Sequence, residues 1–148
     1  MGTKTPKYHL SPARRFANRL MAMLIRVGAA PRHSYLLTTV GRKSGVARTT
    51  PVTLLENADG RFLVAPYGPV GWVHNARSLG QVTLRRGRHT ETCAVAELEP
   101  GDAAPVLKQY VAEVAVVRPF FDVAPGSALP DFAAEAARHP VFRLDRLE

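Results

Sequence analysis

A mainly β chain of the α+β class is what this sequence predicts: antiparallel strands, an N-terminal amphipathic helix and short peripheral helices. Three observations point there. Short runs rich in Val, Leu and Thr alternate with turn clusters such as Asn57-Ala58-Asp59-Gly60. Two of these runs, Gln81–Arg86 and His89–Leu98, flank Gly87 as a hairpin. Helical periodicity is confined to the N-terminal segment and to short stretches later in the chain. Several antiparallel strands with few helices fit a small closed or half-closed barrel, and by pattern alone a sandwich fits equally well. The 148 residues are expected to form one domain, with residues 1–10 frayed.

Each element has its own justification. Ser11-Pro12 places a capping hydroxyl before a proline suited to the first helical turn. From Ala13 to Val27, Phe16, Leu20, Met23, Leu24 and Val27 fall on one helical face, and Arg15, Arg19 and Arg26 on another. Gly28 stops this helix. Its apolar face can cover one end of the barrel or lie on an anionic membrane surface. Tyr35–Val40 and Ala47–Glu56 read as strands, with Pro51 marking an edge or a bulge in the second. Arg61–Ala65 is the third strand, and Gly71–Leu79 is a short helix stopped by Gly80. A helix opens at Glu99 or Pro100 and runs to about Val114. Pro119, Pro125 and Pro130 divide the next stretch into loops. Asp131–Arg138 is a short helix and Val141–Leu144 a last strand.

Hydrophobic residues make up 46% and charged residues 22%, an ordinary globular balance. No apolar run is long enough to cross a membrane as a helix, and no secretory signal pattern opens the chain. Cys93 is the only cysteine, which excludes an internal disulfide and a cysteine-based metal site. A cytoplasmic or membrane-peripheral location is therefore expected, with no metal. The net charge of +8 favours an anionic partner such as an acidic cofactor or an anionic membrane, or serves solubility. Nucleic acid is not expected, because no aromatic side chains are interleaved with the cations from Arg42 to Arg48.

Two segments carry chemistry. In Gly41-Arg42-Lys43-Ser44-Gly45-Val46-Ala47-Arg48-Thr49-Thr50-Pro51, cations sit in a glycine-bounded turn that leads into a strand. Arg42, Lys43 and Arg48 can converge on one anionic group, with Ser44 and backbone N–H groups as further donors. The P-loop spacing is absent. The second segment, Ala65-Pro66-Tyr67-Gly68-Pro69-Val70-Gly71-Trp72-Val73-His74-Asn75-Ala76-Arg77, holds the only tryptophan.

Together and in this order, the two segments resemble the deazaflavin-dependent nitroreductases, also described as coenzyme F420-dependent quinone reductases. That family's pattern is G-R-K-[ST]-G-x-x-R-x-x-P, a strand, then W-x-x-N at a helix start; both halves are complete here. The resemblance runs from about Tyr35 to Leu98. It implies a split β-barrel that binds coenzyme F420, an 8-hydroxy-5-deazaflavin with a phosphodiester and glutamate tail, in preference to FMN. By this likeness Arg42, Lys43 and Arg48 hold the tail, and Ser44 and Thr50 donate hydroxyls to the phosphate or ribityl chain. Pro51 packs near the ring, and Val64, Ala65, Pro66, Tyr67 and Gly68 contact the deazaflavin head. Gly71, Trp72 and Asn75 supply the helix start, a flat surface and an amide on the same face. The loop Pro66–Val70 departs from the Ser-Lys-Gly-Gly-like loop of the family's better-known branch, so substrate preference does not carry over.

The implied activity is hydride transfer from reduced F420 to a quinone, a nitro compound or another electron-poor conjugated small molecule. Tyr67 and His74 are the candidate proton donors. Tyr110, Phe120 and Phe121 either wall the substrate or pack against the barrel, and His139 before a proline reads as structural. The rival reading is a non-catalytic split-barrel carrier of a lipid, fatty acid or other anionic ligand.

Overall fold

The structure, a computed structural model, describes Arg15 and residues 18–23 and 33–147. Six strands close into an antiparallel barrel. They are β1 (Ser34–Val40), β2 (Ala47–Asn57), β3 (Gly60–Val64), β4 (Gln81–Arg86), β5 (His89–Glu97) and β6 (Val141–Arg146). Around the barrel the order is β1-β2-β3-β6-β5-β4, with β4 returning to β1. A closed barrel, not a sandwich, is therefore the architecture.

The period-two alternation of the strands decides the inside. Leu37, Leu54, Leu63, Val82, Leu84, Cys93, Phe142 and Leu144 form the interior cluster, with Val73 and Ala76 of helix α1 (Gly71–Leu79) packed into it. A second core lies outside the sheet. There Leu55, Phe62, Val64 and Val141 pack against α2 (Pro100–Glu113) and α3 (Leu129–Glu135) through Leu107, Val111 and Phe132. Each such fully buried side chain contributes roughly 1.5–3 kcal/mol.

One end of the barrel interior is filled by charge. Glu91, 8% exposed, receives Arg61 at 2.6 Å, and Arg61 also approaches Glu56 at 3.6 Å. Tyr35 donates to Glu56 at 3.1 Å and stacks under the Arg61 guanidinium. The opposite end carries the 41–46 turn and α1.

β2 is paired in two halves. Ala47–Thr53 pair with β1 only, and Leu54–Asn57 pair with β3. Among the described residues the first half has no strand on its other side, so Pro51 sits on a local edge where its missing N–H costs no ladder bond.

The remaining differences from the sequence reading have simple causes. Ala115–Phe120 is a 3-10 helix rather than a loop. Arg118 fixes it by donating to the carbonyls of Val111 and Ala112 at the end of α2, both at 2.9 Å. α3 begins at Leu129 because Pro130 lies in its first turn, where a missing N–H is harmless, and it ends at Glu135 rather than Arg138. β6 continues to Arg146. Arg15 and residues 18–23 are helical. Met21 and Ala22 pack on Leu36, while Leu20 and Met23 are 45% and 55% exposed. The side turned to the barrel is thus not the one carrying Leu20 and Met23. Phe16, Leu24, Arg26, Val27 and Gly28 lie outside the described residues. Among those described, no helix is long and apolar enough to cross a membrane.

Candidate functional site

The turn between β1 and β2 is built by its glycines. Gly41 N–H donates to the Val46 carbonyl and Gly45 N–H to the Gly41 carbonyl, each at 2.9 Å. A Cβ on Gly41 would stand 2.4 Å from Ser44 Oγ, and Gly45 adopts φ +70°. The Ser44 hydroxyl accepts from Val46 N–H at 3.2 Å, which leaves its own hydrogen to donate outward. Arg42, Lys43, Ser44 and Arg48 are all exposed.

Asn75 ties this turn to α1. Its Oδ1 accepts from Arg42 twice, from the backbone N–H at 3.3 Å and from Nη1 at 3.1 Å, and its Nδ2 donates to Thr39 at 3.3 Å. Asn75 is 6% exposed, so it is a buried brace between strand, turn and helix. The two sequence segments that carry the resemblance are therefore in direct contact.

A cavity of about 430 Å³ opens between them, lined by Thr39, Gly41, Arg42, Lys43, Ser44, Arg48, Thr49, Thr50, Val70, Gly71, Trp72 and Asn75. Among the described residues no carboxylate lies within ion-pair distance of Arg42, Lys43 or Arg48; the carboxylates that do form ion pairs meet other cations, as Glu97 does Arg77. Three uncompensated cations around one hollow create a positive field suited to a polyanion. α1 starts at Gly71 with Val70 in extended conformation and no side-chain cap, so its first N–H groups face outward.

A second cavity of about 380 Å³ adjoins the first at Thr50, Val70 and Trp72. It follows the unpaired edge of β2 from Thr50 to Thr53 and is otherwise walled by Val64, Pro66, Tyr67, Tyr110, Val114, Val116 and Val117. Ser34 and, from the N-terminal helix, Asn18 and Met21 complete it. Tyr67 is half-buried, with its ring edge-on to Phe120 at 4.8 Å. Tyr110 is 3% exposed, and burial pushes its phenol far above the usual range, so it remains neutral.

The structure brings most of the residues singled out from sequence together. Arg42, Lys43, Ser44, Arg48, Gly71 and Asn75 line the cationic cavity; Pro51, Val64, Pro66 and Tyr67 line the second; Thr50 and Trp72 line both. Three stand apart. Ala65 is 1% exposed in the barrel core, and Gly68 is buried beside it with its N–H on the Ala65 carbonyl. His74 is exposed on α1 and lines neither cavity, because Val73, Asn75 and Ala76 take the inward positions. Tyr110 walls the apolar cavity, while Phe121 is buried against Tyr110 and His139. Thr39, Thr49 and Val70, and the walls supplied by Ser34, Val52, Thr53, Val114, Val116 and Val117, carry no local motif that would have identified them.

A family model for the F420H(2)-dependent quinone reductases matches residues 13–121. No curated protein matches the chain. Among solved structures, an F420-H2-dependent reductase, FDR-A, superposes with a TM-score of 0.53 at 23% identity, over 77% of this chain and 95% of that one. A chain described as a domain-swapped dimer gives 0.56 at 22% identity, over 90% and 96%. HutZ, the heme storage protein of Vibrio cholerae, gives 0.56 at 14% identity, over 79% and 83%. These structural likenesses are of fold.

Proposed function

Because the chain belongs to the F420H(2)-dependent quinone reductase family and is thereby an oxidoreductase, we propose that its two joined cavities hold coenzyme F420 and a small conjugated acceptor. The observation that carries this reading is the junction at Trp72: a cationic hollow on one side, an apolar one on the other. A ligand with a polyanionic tail and a flat ring fits that division better than a lipid carrier does, since a lipid chain gives three cations little to bind.

Arg42, Lys43 and Arg48 hold the phosphodiester and glutamate tail by charge-assisted bonds. The Ser44 and Thr50 hydroxyls and the first N–H groups of α1 add donors. Trp72, with two side-chain torsions and its ring 6.0 Å from that of Phe142, presents a fixed face to orient the ring system. Bound F420H2 supplies a hydride; the protein supplies placement. Pro66, Val117 and Tyr110 exclude water from the acceptor. A quinone, nitro compound or similar electron-poor ring is the acceptor class. Tyr67 is the phenol set in this cavity to deliver a proton, a role for which exposed His74 is badly placed.

A peripheral membrane contact is a second element of the proposal, favoured by Leu20 and Met23 standing exposed beside exposed Arg19. The test of the whole reading is a fluorescence titration of the chain with F420 and with FMN. F420 should bind more tightly, because the cation site is longer than one phosphate requires. Equal affinity, or a preference for FMN, would overturn the reading.

A further inference from the structure

Behind the apolar cavity, beyond the residues that the family model matches, two ionisable side chains are buried against each other. Glu135, at the end of α3, is 1% exposed, and His139, four residues on, is 2% exposed. Glu135 Oε1 accepts from the Asp122 N–H and from Arg138 Nη2, both at 2.9 Å. Its Oε2 lies 3.4 Å from His139 Nε2, and among the described residues both atoms are buried without a hydrogen-bond partner. His139 Nδ1 lies 3.2 Å from the Ala65 carbonyl oxygen.

The hydrogens follow from the acceptors. A carbonyl only accepts, so Nδ1 carries a hydrogen, and in the neutral ring, which burial favours, Nε2 turns its lone pair toward Glu135. An ionised Glu135 would set lone pair against lone pair in a buried site, at a steep cost. A proton on Oε2 removes that conflict.

The pair joins both walls of the apolar cavity. Ala65 receives the His139 N–H on its carbonyl and donates its own N–H to Pro140 at 2.9 Å, so this dipeptide fixes the root of the loop carrying Pro66, Tyr67 and Val70. Across the cavity, the 3-10 helix bearing Val116 and Val117 leads into Phe121 and Asp122. The Phe121 ring stacks on His139 at 3.9 Å, and the Asp122 N–H is held by Glu135. We propose that Glu135 and His139 are positioning residues for the apolar cavity: Glu135 keeps its proton and donates it to His139 Nε2, and the Nδ1–H of His139 holds the Tyr67 loop.

The surroundings agree. Burial pushes the Glu135 carboxyl above its ordinary range, although the Asp122 N–H and Arg138 pull the other way. Burial also lowers the imidazole's tendency to become a cation, against the carbonyls of Ala65, Phe120 and Pro66. Asp122 ion-pairs with Arg138 beside the pair, and Tyr110, whose ring packs on Phe121, is an un-ionised phenol.

Long-range proton–nitrogen spectra of the intact chain, with His139 assigned against His139→Gln, should show the Nδ1–H tautomer. Glu135→Gln carries a permanent donor to Nε2 and should preserve the pair, whereas Glu135→Leu removes the donor without a large change of size. A raised carboxyl pKa means the folded state binds the extra proton. The stability of the wild type relative to Glu135→Gln should therefore fall as pH rises above about 4.3, until Glu135 ionises in the fold. In turnover, Glu135→Leu, which leaves the Asp122 N–H as well as His139 Nε2 without a partner, should raise the acceptor KM by at least about tenfold and leave F420 affinity unchanged. Glu135→Gln should match the wild type. An Nε2–H tautomer, a persistent imidazolium, a pH-independent stability difference, or equal damage by Gln and Leu would each overturn the proposal. The kinetic comparison rests on the reductase reading, but the tautomer and stability measurements do not. Inactivity of every variant, wild type included, with the expected tautomer and pH dependence would count against the reductase reading and for the pair.

Discussion

Replacing Asn75 by alanine removes three hydrogen bonds at once, and the structure fixes what each is worth. Two join neutral groups, to the Arg42 N–H and to the Thr39 hydroxyl, both at 3.3 Å. Such bonds contribute about 0.5–1.5 kcal/mol each when a buried group loses its partner. The third, to the Arg42 guanidinium, belongs to an exposed side chain that water can serve, so it adds at most about 1 kcal/mol. Asn75→Ala should therefore cost about 1–4 kcal/mol of stability in a denaturant titration. Its effect on F420 binding should run through Arg42. In a double-mutant cycle with Arg42→Ala, the coupling in binding free energy should be about 1 kcal/mol, because either change alone already releases the guanidinium. Asn75→Asp separates bracing from charge. It keeps the acceptor for Arg42, and the Thr39 hydroxyl, which accepts from the Asn75 amide, can turn to donate to the carboxylate, so the fold should hold; the carboxylate neutralises Arg42 and should weaken anion binding by roughly tenfold. Additive single mutants, or an aspartate variant that binds F420 as well as the wild type, would refute the reasoning.

Three further outcomes are expected. Arg48→Ala should weaken F420 binding and flatten its salt dependence, with Arg42→Ala and Lys43→Ala acting in the same direction; titrations at several ionic strengths measure this. Leu20→Ser with Met23→Ser should reduce sedimentation with anionic vesicles without lowering the melting temperature, since both side chains are exposed. Burial alone would raise the Glu91 carboxyl, but the hydrogen bond and charge of Arg61, with help from His89, hold it below the usual carboxylate range. Stability from this pair is thus present above the unfolded value of about 4.3 and lost as pH falls through the lower folded value, an acid limb that Glu91→Gln should lack in pH-dependent melts.

What the sequence could and could not disclose follows from range. Gly71–Leu79 and Gln81–Arg86 coincide with their elements because their stop signals are local: Gly80 takes a left-handed cap and Gly87 a tight turn. The cation turn and the Trp72–Asn75 pair were legible because each motif lies within one stretch of chain. Their mutual contact was not, since Asn75 and Arg42 meet only when α1 packs on β1. The apolar walls were hidden for the same reason: Ser34, Thr53, Tyr110 and Val117 come from four separate parts of the chain. Proline misled twice in the same direction. Pro119 and Pro130 read as breakers, yet one lies inside a 3-10 helix and the other in the first turn of α3. The N-terminal periodicity puts Leu20 and Met23 on the apolar face, yet among the described residues of that helix contact with Leu36 is made by Met21 and Ala22, while Leu20 and Met23 are exposed.

Charge is distributed in this molecule by what each cation is used for. There are 12 acidic residues against 20 lysines and arginines, so not every cation can have a carboxylate of its own and the placement of acids is informative. Glu91 and Glu56 meet Arg61 inside the barrel, where an unpaired guanidinium would be costly. Asp122 and Glu135 meet Arg138 beside the buried histidine. Among the described residues the 41–48 turn receives no carboxylate, and its exposed cations need none, because water keeps them solvated. Yet Arg42 still has to be held in place for a fixed anion site. A carboxylate would do so at the expense of the charge that an anionic tail would bind. A neutral amide does not: Asn75 orients the guanidinium through one oxygen and leaves its charge intact. Asparagine at this position therefore makes physical sense where aspartate, the stronger partner for an arginine, would defeat the site.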